Sequence, residues 1–222
     1  MISSQWRKHC SVAQVLALFA LLFGSATTAC AESSVDELRS ALIHAQAEEK
    51  FDEAMALASQ LVDLNAKLHG TQSIEYALSL HKVALVHEAA GDLAAAAKQF
   101  KQALTVGEIA VGPDDPRLVS MVRRVGDVWR DAGKLDQAEQ LYRRAMALRE
   151  REEENYGSGA LEHQSLAQLL VNQDRHAEAA PVLQAAIDYL ERTKAGQEMI
   201  DMVQMELKIA RRKMAEKAAG GL

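Results

Sequence analysis

The side chains best suited to chemistry in this sequence are cations that return at a nearly constant spacing. Lys82 follows Arg39 by 43 residues, and Arg123 and Arg124 follow Lys82 by 41 and 42 residues. A guanidinium group can hold a carboxylate through two parallel hydrogen bonds, so a row of these cations would bind an acidic peptide or its terminal carboxylate. The alternative is that each cation is solvated and forms local salt bridges within its own helix. Neither interpretation involves a reaction.

The other reactive residue types do not group into a recognisable site. His81 and His87 are six residues apart and would lie on different faces of a helix, and the seven histidines lack metal-ligand spacing. Asp114 and Asp115 are typical of turns and helix caps, and the charged run Arg149–Glu154 is typical of a solvated helix face. The sequence contains no glycine-rich phosphate loop, nucleophile elbow or metal-binding helix motif. We therefore predict no catalytic residue, no metal and no cofactor.

The spacing of the cations follows a repeat in the chain itself. Gly91 and Gly133 are 42 residues apart and are embedded in the same short pattern, in which alanine precedes the glycine and leucine and alanine follow it. The pattern returns without its glycine at Glu49 and Asp174. A period of this length is typical of a solenoid, in which each repeat is one small unit that packs on its neighbours.

On both sides of each copy of this pattern, apolar residues recur at steps of three and four, which indicates one buried face of a helix. Apolar residues make up 49% of the chain and aromatic residues only 5%, which favours helices over strands. Gly91 and Gly133 can end a helix in the left-handed conformation; Glu49 and Asp174 lack this freedom, so we expect the outer repeats to turn differently or less stably. We predict an all-α fold with helices at 35–48, 51–68, 73–89, 93–110, 116–131, 135–155, 159–172, 176–193 and 197–218.

Small and large residues alternate between the paired helices at fixed positions. The first helices carry a small residue at Ala84, Gly126 and Ala167, where Leu42 is a departure, and the second helices carry a large one at Phe100, Tyr142 and Leu183, where Ala58 is a departure. Over residues 35–193 these positions resemble tetratricopeptide repeats, in the 42-residue form of kinesin light chains and many bacterial proteins. The resemblance implies a right-handed α-solenoid of about four helix-turn-helix repeats within 32–195, a capping helix within 196–222, and no enzymatic activity.

The same resemblance implies a binding groove, because the first helices of such repeats line a concave surface. The groove would bind a protein or peptide segment, with acidic segments favoured by the cations; self-association through the terminal helix, or a role as accessory subunit of an envelope enzyme, is the alternative. The residues that alignment with the family places on the groove are Arg39, Ile43, His81, Lys82, Leu85, Arg123, Arg124, Asp127, Arg130, Gln164 and Gln168.

Residues 1–31 have the form of a bacterial signal peptide. Arg7 and Lys8 precede an apolar run at 12–23, which is shorter than the roughly 20 residues of a membrane-spanning helix, and the run ends near a small-x-small cleavage site. We expect cleavage after Ala31 and a periplasmic or secreted protein. Lipidation at Cys30, which would attach the protein to a membrane, is the alternative.

The mature chain would be acidic and free of cysteine. Without residues 1–31 it keeps 23 of 25 Lys and Arg residues and all 31 Asp and Glu residues, so the formal net charge changes from −6 to −8. A charge of this sign argues against nucleic acid as a partner. Both Cys10 and Cys30 would leave with the signal peptide, so no disulfide or thiolate site would remain.

Overall fold

A computed structural model describes residues 32–151 and 160–220. Within these residues the chain forms α-helices, one short 3-10 helix and no strand, which confirms the predicted all-α fold. None of the described helices is long and apolar enough to cross a membrane. The helices are α1 (32–47), α2 (Phe51–His69), α3 (Ile74–Ala89), α4 (Leu93–Val111), α5 (Val119–Asp131), α6 (Leu135–Glu150), α7 (Leu161–Asn172), α8 (His176–Arg192) and α9 (Gln197–Gly220).

The helix bounds agree closely with the prediction except around α5 and α6. The predicted helix 116–131 begins instead with a 3-10 turn at Pro116–Leu118, where the Asp115 carboxylate accepts the Arg117 N–H at 2.9 Å and so caps the turn as expected. Helix α6 ends at Glu150, and residues 152–155 of the predicted helix lie outside the described residues. The signal segment, with the predicted cleavage site and Cys30, and Gly157 lie outside the described residues.

The chain makes the same turn at all four copies of the repeated pattern. This corrects the expectation that the outer repeats turn differently. Gly91 has φ 83° and Gly133 has φ 73°, while Glu49 and Asp174 adopt left-handed φ values of 56° and 57°. The closing hydrogen bond is also the same, because the N–H of Lys50 bonds to the Ala45 carbonyl at 2.9 Å as Asp92 does to His87. The packing of the flanking helices therefore imposes the turn, at a cost of roughly 1 kcal/mol for a non-glycine residue.

In the third repeat, a small residue on the first helix lies against a large one on the second. A Cβ atom added to Gly126 would lie 2.7 Å from Tyr142 Cε1, so α5 and α6 approach each other at this point as closely as glycine allows. In the first repeat the sizes are exchanged, since Leu42 of α1 and Ala58 of α2 are both buried in one cluster, which also contains Val83 and Val86 of α3. Two residues that look like separate departures in sequence are thus one compensating exchange of volume.

Helix α9 closes the solenoid as the predicted capping helix. Ile200, Val203, Leu207 and Ala210 are buried at helical spacing and share a core cluster with α7 and α8. Beside α8, α9 carries the polar side chains of Gln204, Lys208 and Arg211, and Arg211 donates to Gln184 of α8 at 3.3 Å. Polar side chains at the end of a terminal repeat oppose further stacking in water, although Met202, Met205 and Ile209 of α9 are exposed.

Candidate partner-binding face

The first helices of successive repeats lie next to one another and are joined by ion pairs. Arg124 of α5 donates to Glu88 of α3 at 3.0 Å, and Arg123 Nε lies 4.0 Å from the Glu162 carboxylate of α7. Beyond these ion pairs, α7 and α9 line a pocket at the end of the solenoid. We refer to the surface formed by α1, α3, α5, α7 and α9 as the first-helix face; α1 belongs to it because Leu42 and Ala45 share a buried cluster with Val83 and Val86 of α3.

Asp127 organises the centre of this face. Its carboxylate accepts hydrogen bonds from the Tyr142 hydroxyl at 2.7 Å, from Arg123 at 3.0 Å and from Arg130 at 3.3 Å, and Arg124 lies 3.7 Å away. Burial and the adjacent Asp127 carboxylate raise the pKa of the Tyr142 hydroxyl, which therefore remains a donor. The predicted binding arginines are consequently held by a buried carboxylate, so an acidic ligand would compete with Asp127 for them. These pairs include the local salt bridges of the alternative interpretation.

A second ion pair lies beneath the face and was not anticipated. Arg149 of α6 donates to the two carboxylate oxygens of Glu162 at 3.1 and 3.3 Å, and their side chains are 8% and 2% exposed. The sequence analysis had placed Arg149 on a solvated charged run. No signal in the sequence distinguishes this arginine from its exposed neighbours, because its burial depends on where α7 packs.

The remaining predicted groove residues divide into accessible and inaccessible ones. Ile43 is 60% exposed, Lys82, Leu85 and Gln164 are partly exposed, and Gln168 is exposed and donates to Asn172 at 2.8 Å. Arg39 pairs with Asp36 of its own helix at 3.3 Å and has no described contact with the other cations.

His81 and Asp127 are corrections to the predicted groove. His81 is only 6% exposed and packs in the core with its ring 5.3 Å from that of Phe100. Asp127 is buried because it accepts the Tyr142 hydroxyl between α5 and α6. A buried residue that is adjacent in sequence to an exposed one is easily assigned to the exposed face, because the alignment fixes the orientation of the helix only approximately.

Burial makes His81 a source of acid sensitivity. Desolvation, together with the nearby charges of Lys82, Arg124 and Arg123, lowers the pKa of His81 from 6.5 to about 3. The unfolded chain therefore takes up a proton below about pH 6.5 that the folded protein does not, so stability falls as the pH decreases from about 6.5 towards 3.

We expect His81 to account for a loss of about 2 kcal/mol of unfolding free energy between pH 7 and pH 5, at 1.36 kcal/mol per pH unit below its unfolded pKa. In a His81→Phe variant, which keeps an aromatic ring against Phe100, stability should depend less on pH by that amount. Urea unfolding at both pH values measures the difference. A His44→Gln variant, which changes an exposed histidine, is the control; equal pH dependence in wild type and His81→Phe would refute the assignment.

The α7–α9 pocket contributes residues that sequence analysis missed. Its volume is about 170 Å³, and Gln168 is the one predicted groove residue in its lining, which otherwise includes Val171, Leu183, Glu206 and Ile209. The sequence analysis interpreted α9 as a cap, with self-association through it as the alternative, and did not include Glu206 in a site. Among the described residues, no group of His, Cys, Asp and Glu side chains is arranged to hold a metal ion.

Comparisons with known proteins agree with this architecture. Family models described as "Tetratricopeptide repeat" match residues 27–108 and 123–153, which together are just over half of the chain. No curated protein sequence matches.

Solved structures show the same fold at low sequence identity. One contains the TPR-like repeats attributed to a kinesin light chain of Podosopora anserina, with a TM-score of 0.66, 17% identity, and 84% of this chain and 90% of that chain covered. BtubC (BKLC) of P. vanneervenii gives a TM-score of 0.69 at 15% identity, with 84% of this chain and 82% of that chain covered. The fold is therefore the right-handed α-solenoid.

Proposed function

The chain belongs to the tetratricopeptide-repeat family, and from this premise we propose that it is a protein–protein interaction scaffold of the bacterial envelope. The partner would contribute an extended or helical segment that lies along the first-helix face. Helical-repeat solenoids present long surfaces of this kind and bind other proteins through them.

One observation carries the proposal. The first helices are joined across repeats by the Glu88–Arg124 pair and the Arg123–Glu162 contact, so that their exposed side chains form one continuous surface. Ile43 remains exposed on α1, and Lys82 on α3 has no ion-pair partner among the described residues. An exposed aliphatic residue and an unpaired cation add nothing to the packing of the solenoid, but both would contribute to a bound segment.

The charge preference of this surface depends on competition. Arg123, Arg124 and Arg130 already have carboxylate partners, and an acidic segment gains only the difference between its own contacts and those it replaces. Lys82 carries no such cost. We therefore propose that acidic groups of a partner bind at Lys82, while the arginines serve mainly to hold the first helices together.

The test compares two double variants that make the same pair of substitutions on different surfaces. The full-length protein and an Ile43→Glu, Lys82→Glu variant are used as baits in an envelope extract. The matched control is Ile109→Glu, Lys98→Glu, which changes the same residue types on the second helix α4, where Ile109 is 64% exposed. We expect partners retained by the wild type and the control to be lost by the first variant, because only that variant alters the first-helix face.

The outcome separates the proposed role from self-association. Equal retention of partners by both variants would place binding elsewhere. A concentration-dependent mass in analytical ultracentrifugation, with no retained partner, would favour the structural role of the terminal helix. Substituting Arg123 instead would be uninformative, since it would remove a partner of Asp127 and perturb the fold.

Export is the second part of the proposal and rests on the sequence of residues 1–31. We expect cleavage after Ala31, because Ala29 and Ala31 supply the small residues that signal peptidase requires. Intact-mass measurement of the protein from the native host should then correspond to a chain that begins at Glu32. A mass that includes acyl chains on Cys30 would replace the periplasmic assignment with a lipoprotein, and an uncut chain would refute export by this route.

A further inference from the structure

The α7–α9 pocket contains a charged group that the solenoid does not use. Glu206 of α9 lines the pocket, and among the described residues no side chain or backbone group bonds to its carboxylate; burial alone raises the pKa of this carboxyl. Of the other polar side chains of the lining, Gln168 donates to Asn172, and His176 lies with Nε2 3.7 Å from Asp174 and with a buried Nδ1 that has no hydrogen-bond partner among the described residues. Unpartnered, partly desolvated carboxylates cost stability and are most often kept where function requires them.

The size of the pocket matches a single side chain. Its volume is about 170 Å³, and its apolar walls come from Ala167, Val171, Leu183 and Ile209. An apolar cavity of about 150 Å³ is large enough to bind benzene, whereas sites for cofactors and drug-sized ligands start at about 300 Å³. The pocket is therefore large enough for one branched aliphatic or aromatic side chain.

Glu206 is the acidic residue of the pocket lining, and exposed apolar side chains share its stripe of α9. Residues 197–206 contain three acidic residues and no basic one, and Met199 and Met202 are exposed on this half of α9. The cations of α9 all lie beyond Glu206 and none of them lines the pocket; Lys213, one of these cations, pairs with Glu216 at 3.3 Å. Methionine side chains adapt to the shape of a partner, and the uncompensated negative charge attracts a positive one.

We propose that the α7–α9 pocket and the first half of α9 bind a basic, apolar segment of a partner protein. An aliphatic or aromatic side chain of the segment enters the pocket, and a neighbouring lysine or arginine pairs with Glu206. The apolar part of the segment packs on Met199 and Met202. This inference rests on the proposed scaffold function. It specifies that the part of the partner bound at the α9 end of the face is basic and apolar, because Glu206 would repel an acidic segment.

The experiment selects ligands without assuming their identity. Random peptides displayed on phage are selected against the full-length protein, and the best enriched peptide is synthesised and its affinity measured by fluorescence anisotropy. We expect enriched sequences to contain an aromatic or branched aliphatic residue close to a lysine or arginine. Their affinity should fall by about tenfold or more in Glu206→Gln, because a charge-assisted hydrogen bond is lost, and also in Val171→Phe, which fills the pocket.

The control is Glu198→Gln, which removes the same charge from α9 outside the lining of the pocket, and should change affinity far less. Folding of every variant is checked by circular dichroism, and Glu206→Gln should be at least as stable as wild type because it removes a partly buried charge. Enrichment of acidic peptides that depend on Lys82 and are unaffected by Glu206→Gln would overturn this inference while leaving the scaffold function intact. Failure of the folded protein to enrich any peptide would count against both.

Discussion

Replacing Glu162 with glutamine is expected to destabilise the protein by about 3–5 kcal/mol. The substitution keeps the shape of the side chain but removes a carboxylate that lies 3.1 Å from the guanidinium of Arg149 and 4.0 Å from that of Arg123. A buried ion pair adds little net stability, yet removing one partner is costly, because the desolvated guanidinium of Arg149 loses its two hydrogen bonds to the Glu162 carboxylate. Urea unfolding followed by circular dichroism measures the change.

The matched control is Glu216→Gln, which breaks the pair between Glu216 and Arg212 on α9. Those side chains are 46% and 78% exposed, and exposed pairs contribute well under about 1 kcal/mol. A second comparison uses Arg149→Met with Glu162→Leu, which replaces both charges with apolar groups and should be clearly more stable than Glu162→Gln. Similar effects of Glu162→Gln and Glu216→Gln would show that the α6–α7 pair is hydrated in solution.

Replacing Gly126 with leucine should cost roughly 1–3 kcal/mol through overpacking. Even the Cβ atom of the new side chain would lie 2.7 Å from Tyr142 Cε1 and 2.9 Å from Cδ1. The Tyr142 ring cannot withdraw easily, since it is fully buried and its hydroxyl is bonded to Asp127 at 2.7 Å. Thermal and urea unfolding measure the loss, and Ala147→Leu, at an exposed position of α6, is the control for adding leucine to a helix.

The first repeat suggests how this damage can be repaired. There a leucine at the corresponding first-helix position, Leu42, is accommodated by Ala58 on the second helix. We therefore expect Tyr142→Ala to rescue Gly126→Leu in part, so that the double variant is more stable than the sum of the single effects by about 1 kcal/mol. Strict additivity, or a Gly126→Leu variant that unfolds like the wild type, would mean that α5 and α6 do not meet at this point.

Much of the fold could be predicted because the repeat constrains each unit locally. The period of 42 residues between Gly91 and Gly133 and the helical spacing of apolar residues specify helix pairs that can bury their apolar faces only against neighbouring pairs. Contacts in such a solenoid are close in sequence, so local patterns suffice to predict helix bounds, the small residue at Gly126 and the role of α9 as a cap.

The binding face could be predicted only as a list of residues, because the list says nothing about what each side chain meets in the next repeat. Equivalent spacing of Lys82 and Arg124 suggests equivalent roles, but Arg124 reaches Glu88 of the preceding first helix while Lys82 finds no ion-pair partner among the described residues. Pairing across repeats depends on the superhelical geometry, which the period of the sequence does not specify.

The sequence by itself therefore determined the architecture: four helix pairs, their capping helix and the family to which the repeats belong. The tertiary structure alone decided which charges are free. It placed His81 in the core, paired Arg149 with Glu162 and brought Arg123 Nε to 4.0 Å from the Glu162 carboxylate. It also left Glu206 in an apolar pocket without a described partner. The physical reason is that helix formation follows from the spacing of apolar residues within one segment, whereas the burial and pairing of a charge depend on which segment packs against it.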